Sequence, residues 1–173
     1  MWIGGSRRGE DFDRSINNDG LIATDAARHL LWFISRNEKL PQSVSGPYLA
    51  LAAGHGYPEL ELANNLGIQL SEITLVDQDF NLIPPGLALN QYIKDDLFHF
   101  LEHTAHTNYG LVVIFGAEYV FRRKDQTEKL WNGLRRVVRK NGYILIAPKP
   151  DYYFPPSGFT IVTEAGKVIA VKK

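Results

Sequence analysis

Gly54-His55-Gly56 closes an apolar run that begins at Tyr48, and about twenty residues later a second apolar run, Ile73-Thr-Leu-Val76, ends in Asp77. Two buried parallel strands, a glycine turn after the first and a carboxylate at the tip of the second suit a nucleoside. The glycines let backbone approach the ligand, and the acid can accept ribose hydroxyls. The third position of such a turn is Glu59. A negative charge at a helix start that should attract phosphate argues against a dinucleotide and admits a ligand without phosphates. The competing readings are a plain strand–helix turn for the glycines and a turn-capping role for Asp77.

Ile93-Lys-Asp-Asp-Leu97 ends a third strand. A short acid there, Asp96 in preference to Asp95, could accept an adenine amino group while the backbone N–H of Leu97 addresses the ring. Asp96 fits equally well as the N-cap of a helix starting at Leu97. Another spacing, His99-Phe-Leu-Glu-His103, matches the inverted zinc-peptidase pattern. That chemistry needs a third ligand from a downstream helix, and the helix around Glu128 has the pattern of an amphipathic cover. The expected reading is therefore no metal, with both histidines on a solvent-side face. The basic clusters Arg122-Arg-Lys124 and Arg135-Arg136 read as solvated faces.

The elements that must hold these groups follow from the pattern. Thr24-Asp25 could cap a helix running to about Arg36, after an irregular lead-in over residues 1–20. Strands are expected at Leu49–Ala53, Ile73–Val76, Gln91–Lys94, Leu111–Phe115 and Tyr143–Ala147. Helices are expected at Glu59–Leu66 with an αL stop at Gly67, at Leu97–His106 and at Thr127–Lys140, with a short one near Leu87–Leu89. Strands alternating with helices predict a parallel sheet covered on both faces. Phe159–Val162 and Val168–Val171, joined by Glu164-Ala-Gly-Lys167, predict an antiparallel hairpin at the end. The expected architecture is an α/β, Rossmann-like, doubly wound sheet of about seven strands, mostly parallel, in a single domain over residues 21–173.

With 173 residues the chain can bury a sizeable core. It has no cysteine, which excludes disulfides, thiolate catalysis and cysteine-ligated metals. Nineteen basic residues balance nineteen acidic ones, so net charge points to neither nucleic acid nor membrane. The N-terminal residues lack the apolar core of a signal peptide, and no run is long enough to span a bilayer. A cytoplasmic protein is expected.

Taken in order, the Gly54-His55-Gly56 turn, Leu75-Val76-Asp77, Ile93-Lys94-Asp95-Asp96, Tyr109-Gly-Leu-Val-Val-Ile114 and the stretch from Leu134 through Asn141-Gly142 to Ile146 resemble the class I S-adenosylmethionine-dependent methyltransferases. The terminal hairpin is similar to their sixth and seventh strands. The resemblance implies S-adenosylmethionine as cofactor, with Gly54 and Gly56 along its methionine part, Asp77 on the ribose and Asp96 with Leu97 on the adenine. Ala53, His55 and Gln78 belong to the same contacts, and Phe115 and Gly116 flank the reactive face. Glu118, Tyr119 and His55 are the candidates for contact with a methyl acceptor. Their plainer readings are a surface acid, an aromatic at the core edge and a polar turn residue. Tyr152, Tyr153 and Phe154 could wall an acceptor pocket or cover the sheet edge. A small-molecule acceptor is expected over a macromolecule, and a homodimer is one arrangement open to the chain.

The chain departs from the family pattern at five places, one being the connection from Pro148 to Pro156, too short and proline-rich for the usual helix after the fifth strand. Ala52 stands where an acid is common, Pro58 where a third glycine is common, and Gly110 where an Asp often precedes the fourth strand. Gly116-Ala-Glu-Tyr119 replaces the Asn/Asp-Pro-Pro-aromatic motif of amino-group methyltransferases. Ala52, Pro58, the absent catalytic motif and the minimal size support an alternative reading, a catalytically inactive protein of the same fold that serves as a binding or oligomeric scaffold.

Overall fold

A computed structural model of the chain describes residues 34, 36, 37, 40, 42–54, 56–78, 91–105, 108–115, 118–147, 155–165 and 168–173, with Tyr57, Glu118, Tyr119 and Ala165 as backbone only. The seven strands are β1 (Tyr48–Leu51), β2 (Ile73–Asp77), β3 (Tyr92–Lys94), β4 (Tyr109–Phe115), β5 (Val138–Ala147), β6 (Thr160–Ala165) and β7 (Val168–Lys172). Among the described residues they alternate with the helices α1 (Tyr57–Asn65), α2 (Leu97–His103) and α3 (Lys124–Val137), with 3-10 turns at Leu70–Glu72 and Glu118–Phe121. The lead-in, the segment 79–90 and the stretch 148–154 lie outside the described residues, as does the expected helix through Arg36 except for Ile34 and Arg36.

All seven strands form one sheet in the order β3-β2-β1-β4-β5-β7-β6. The first five run parallel; β7 is antiparallel to β5, and β6 is antiparallel to β7. The expected Rossmann-like sheet with its terminal hairpin is the observed one. Buried parallel strands read as unbroken apolar runs because both faces are covered, and β4 is buried at all seven positions.

Alternate residues feed two separate cores. Leu49, Leu51, Val112, Ile114, Ile144 and Ile146 pack under α2 and α3 through Leu101, Leu130 and Leu134. Tyr48, Ala50, Leu111, Val113 and Leu145 pack on the other face against Leu62, Ala63 and Leu66 of α1. The strand order reverses between β1 and β4, since β1 pairs with β2 on one side and β4 on the other. In open α/β sheets that switch point opens a crevice beyond the carboxyl ends of the strands.

Several boundaries move from their expected places. The ladder of β1 stops at Leu51 because Ala52 turns left-handed, with φ 57°. Helix α1 starts two residues early, at Tyr57, with Pro58 in its first turn, where the missing N–H costs no hydrogen bond. Its end matches expectation: Gly67 has φ 72°, and Gly67 N and Ile68 N donate to Asn64 O and Ala63 O at 3.1 and 2.9 Å. Helix α2 stops at His103, three residues short of His106. Helix α3 ends at Val137, not Lys140, because Val138 enters the sheet opposite Tyr109. The chain then bulges through residues 139–142, with Asn141 at φ 63°, and rejoins the ladder at Tyr143, opposite Leu111. Asn141 N and Gly142 O exchange hydrogen bonds of 2.9 and 3.0 Å with Lys173. The Asn141-Gly142 pair therefore ends a bulge, not the helix.

Candidate functional site

The turn after β1 is wound by three left-handed residues in alternation: Ala52 at φ 57°, Gly54 at 56° and Gly56 at 76°. Backbone bonds fix it. Ala53 N donates to Val76 O at 3.1 Å, which ties the turn to β2, and Gly56 N donates to Ala53 O at 2.9 Å. Glycine takes this conformation without steric cost, whereas an alanine pays for it. Ala52 and Pro58, two of the departures from the family pattern, are thus accommodated by the turn's own geometry and the start of α1.

Asp77 closes the site from the side of β2. Its Oδ2 accepts the N–H of Gly54 at 2.8 Å, across 23 residues of sequence. The glycine turn and the acid at the strand tip, singled out separately in the sequence, are therefore in direct contact. A carboxylate has about four lone-pair directions, so holding a backbone amide and accepting hydroxyl donors are compatible. Asp77 O in turn accepts Asp95 N at 3.1 Å, which brings the end of β3 alongside.

The two acids of β3's exit have separate jobs. Asp96 Oδ1 accepts the N–H groups of Phe98 and His99 at 2.9 and 3.2 Å, and so caps α2. Asp95 holds Nδ1 of His99 at 2.8–2.9 Å. Sequence reasoning weighed the cap at Asp96 but missed the Asp95–His99 pair, although an acid and a histidine four residues apart at a helix start are placed to meet. Replacing Asp96 with alanine should cost about 0.5–2 kcal/mol of stability through the lost cap. Asparagine, itself a good cap, should restore most of it. Urea unfolding of the three proteins measures this, and equal stability of the alanine variant would show the cap to be idle.

Leu97 is buried at the start of α2, and Phe115 is buried at the end of β4 in the core on the α1 face. Gln78 is exposed just past Asp77. His55 and Gly116 fall outside the described residues, and Glu118 and Tyr119 are placed by backbone alone, in the 3-10 turn after β4.

Glu59 lies inside the protein. It sits in the first turn of α1 but is only 1% exposed, the one buried charged residue among those described. Its carboxylate is near the phenols of Tyr48 and Tyr92. Burial first, and then that charge, pushes the Tyr48 phenol far above its ordinary ionisation range. Burial, Asp77 and then Glu59 do the same for Tyr92. The Glu59 side chain is thus buried in the protein beside these two phenols. The strand tips present the carboxylates of Asp77, Asp95 and Asp96, which accept from hydroxyl and amine donors and repel anions.

Among the described residues no group of three or more His, Asp or Glu side chains could hold a metal ion, and no helix is long and apolar enough to cross a membrane.

No protein-family model matches the sequence, and neither does any curated protein. The fold does have solved relatives. The chain aligns with the Escherichia coli protein yhhF, described as a methyltransferase, at 16% identity and TM-score 0.58, over 86% of this chain and 84% of the other. It aligns with a SAM-dependent methyltransferase from Bacteroides fragilis in complex with S-adenosyl-L-homocysteine at 14% identity and TM-score 0.52, over 85% and 75%. Against a SAM-dependent methyltransferase from Archaeoglobus fulgidus the figures are 19% and 0.52, over 76% of this chain and about half, 53%, of the other. Strand order, terminal hairpin and these alignments agree: the chain has the fold of the S-adenosylmethionine-dependent methyltransferases.

Proposed function

We propose that the chain binds S-adenosylmethionine at the carboxyl ends of β1 to β4 and transfers its methyl group to a small-molecule acceptor. The observation that carries this reading is the contact of the Gly54 amide with the Asp77 carboxylate, at the switch point of a methyltransferase fold. The residues present fit the cofactor. A diol-accepting acid, a glycine turn without side chains at Gly54 and Gly56, and acids at the next strand tip match a ligand with hydroxyl and amine donors and no phosphate.

When bound, the cofactor supplies a methyl group on a cationic sulfur. The protein's part is binding and alignment. Ala53, Gly54, His55 and Gly56 line the methionine part. Asp77, with Gln78 beside it, holds the ribose. Asp96 and the backbone of Leu97 meet the adenine, with the Asp96 cap presenting the start of α2 to the ring. Phe115 and Gly116 border the reactive face, and Glu118, Tyr119 and His55 are the candidates for contact with an acceptor. Alignment of the acceptor with the sulfonium is the main catalytic requirement, with a base needed only for a protonated acceptor. Residues 21–173 act as one domain in this reading, in the cytoplasm.

Calorimetric titration with S-adenosylhomocysteine tests the assignment. Saturable binding of one ligand per chain is expected. A folded protein that binds none at millimolar ligand would refute it.

A further inference from the structure

On the exposed face of α2 two histidines stand one helical turn apart. The rings of His99 and His103 lie 4.1 Å apart between centroids and 33° from parallel. Each ring has its Nδ1 engaged by an acceptor. His99 Nδ1 is held by the Asp95 carboxylate at 2.8–2.9 Å, and His103 Nδ1 donates to the His99 carbonyl at 2.8 Å. An acceptor at Nδ1 fixes the proton there and leaves the Nε2 lone pair as the donor atom of the neutral ring. The two rings stand side by side, one turn apart, on an exposed helix face.

We infer that His99 and His103 form a surface site for a divalent transition-metal ion of the imidazole-preferring class (zinc, nickel or copper), bound through both Nε2 atoms. Three features support it. The pairing of Nδ1 with a carboxylate or a backbone carbonyl is the outer-shell arrangement that orients metal-bound histidine and raises its basicity. Glu102, the acid between the two histidines in the sequence pattern, is engaged with Lys129 of α3 at 2.7 Å, so the lysine's charge is neutralised beside the site. The carboxylate of Asp95 against the His99 ring also favours a cation there. Two protein ligands leave the remaining positions to water, which makes this an open site unlike the closed four-ligand structural type.

The test is calorimetry of the whole chain with zinc chloride, alongside electron paramagnetic resonance with copper(II). One ion per chain is expected, with copper the tightest of the three, and the copper spectrum should show two nitrogen ligands. His99→Ala and His103→Ala should each weaken zinc at least tenfold. Asp95→Asn should weaken it about 10- to 100-fold while leaving both ligands in place. A variant lacking the other three histidines, His29, His55 and His106, should bind as the parent does. Full zinc affinity in His103→Ala, loss of binding in the triple variant, or a copper spectrum with a single nitrogen would each overturn the site. The copper measurement needs no substitution, so it stands even if a variant folds poorly.

Discussion

Replacing Asp77 with alanine should weaken S-adenosylhomocysteine binding roughly 10- to 100-fold, the loss expected when a charged acceptor worth about 1.5–3 kcal/mol is removed. Two losses coincide. The ribose hydroxyls lose their acceptor, and the Gly54 amide loses the Oδ2 atom that holds it at 2.8 Å. The second loss also loosens the turn, whose left-handed Ala52 needs outside support. Asp77→Asn separates the two. It keeps an oxygen for the amide but removes the charge, so its affinity should lie between those of the parent and the alanine variant. The alanine variant should also unfold at lower urea, because a half-buried charge-assisted hydrogen bond is gone. Isothermal titration reads the first effect and chemical unfolding the second. Parent-like affinity in Asp77→Ala would remove this residue from the site, even if the protein binds the ligand elsewhere.

That prediction rests on features legible in the sequence. The strands from β1 to β5 could be read because a doubly covered parallel sheet leaves long apolar runs, each ended by a turn or an acid. Asp77 could be read for the same reason, as the first polar residue past Val76. Harder to read was whatever depends on partners distant in sequence. Ala52 carries no mark of a left-handed conformation; the Ala53–Val76 bond and the Asp77–Gly54 bond impose it from a neighbouring strand. Helix α3 keeps its amphipathic pattern beyond Val137, yet Val138 is taken by the sheet. Glu59 looks like a surface acid by residue type, and its burial follows from the packing of α1 over Tyr48 and Tyr92. At Asp96 the cap and the ligand contact were both open in the sequence. The structure shows the cap, and one carboxylate can serve both.

Gly110→Ala should destabilise the protein by about 2–3 kcal/mol, near the top of the usual range for overpacking, while leaving cofactor affinity of the folded protein unchanged. Gly110 lies in β4 at the amino-terminal edge of the sheet, opposite the site, and its N–H donates to Pro47 O at 2.8 Å. A Cβ built there would overlap the carbonyl oxygen of Ser45 and stand 3.3 Å from the Arg139 guanidinium. Arg139 is itself anchored, with Nη2 donating to Ser45 Oγ at 3.1 Å. The approaches to β1, β4 and β5 thus converge on a residue that has no room for a side chain. This gives the missing acid at this position a physical reason unrelated to lost activity: Asp would meet the same carbonyl. The obstruction is backbone, so Arg139→Ala should not rescue Gly110→Ala, as it would if the clash were with a movable side chain. For a chain of this length the expected loss corresponds to a fall in Tm of roughly 4–12 °C. Unfolding of the two single variants and the double variant measures it. A Gly110→Ala protein as stable as the parent would mean that Ser45 moves aside at little cost, and that the packing here does not select glycine.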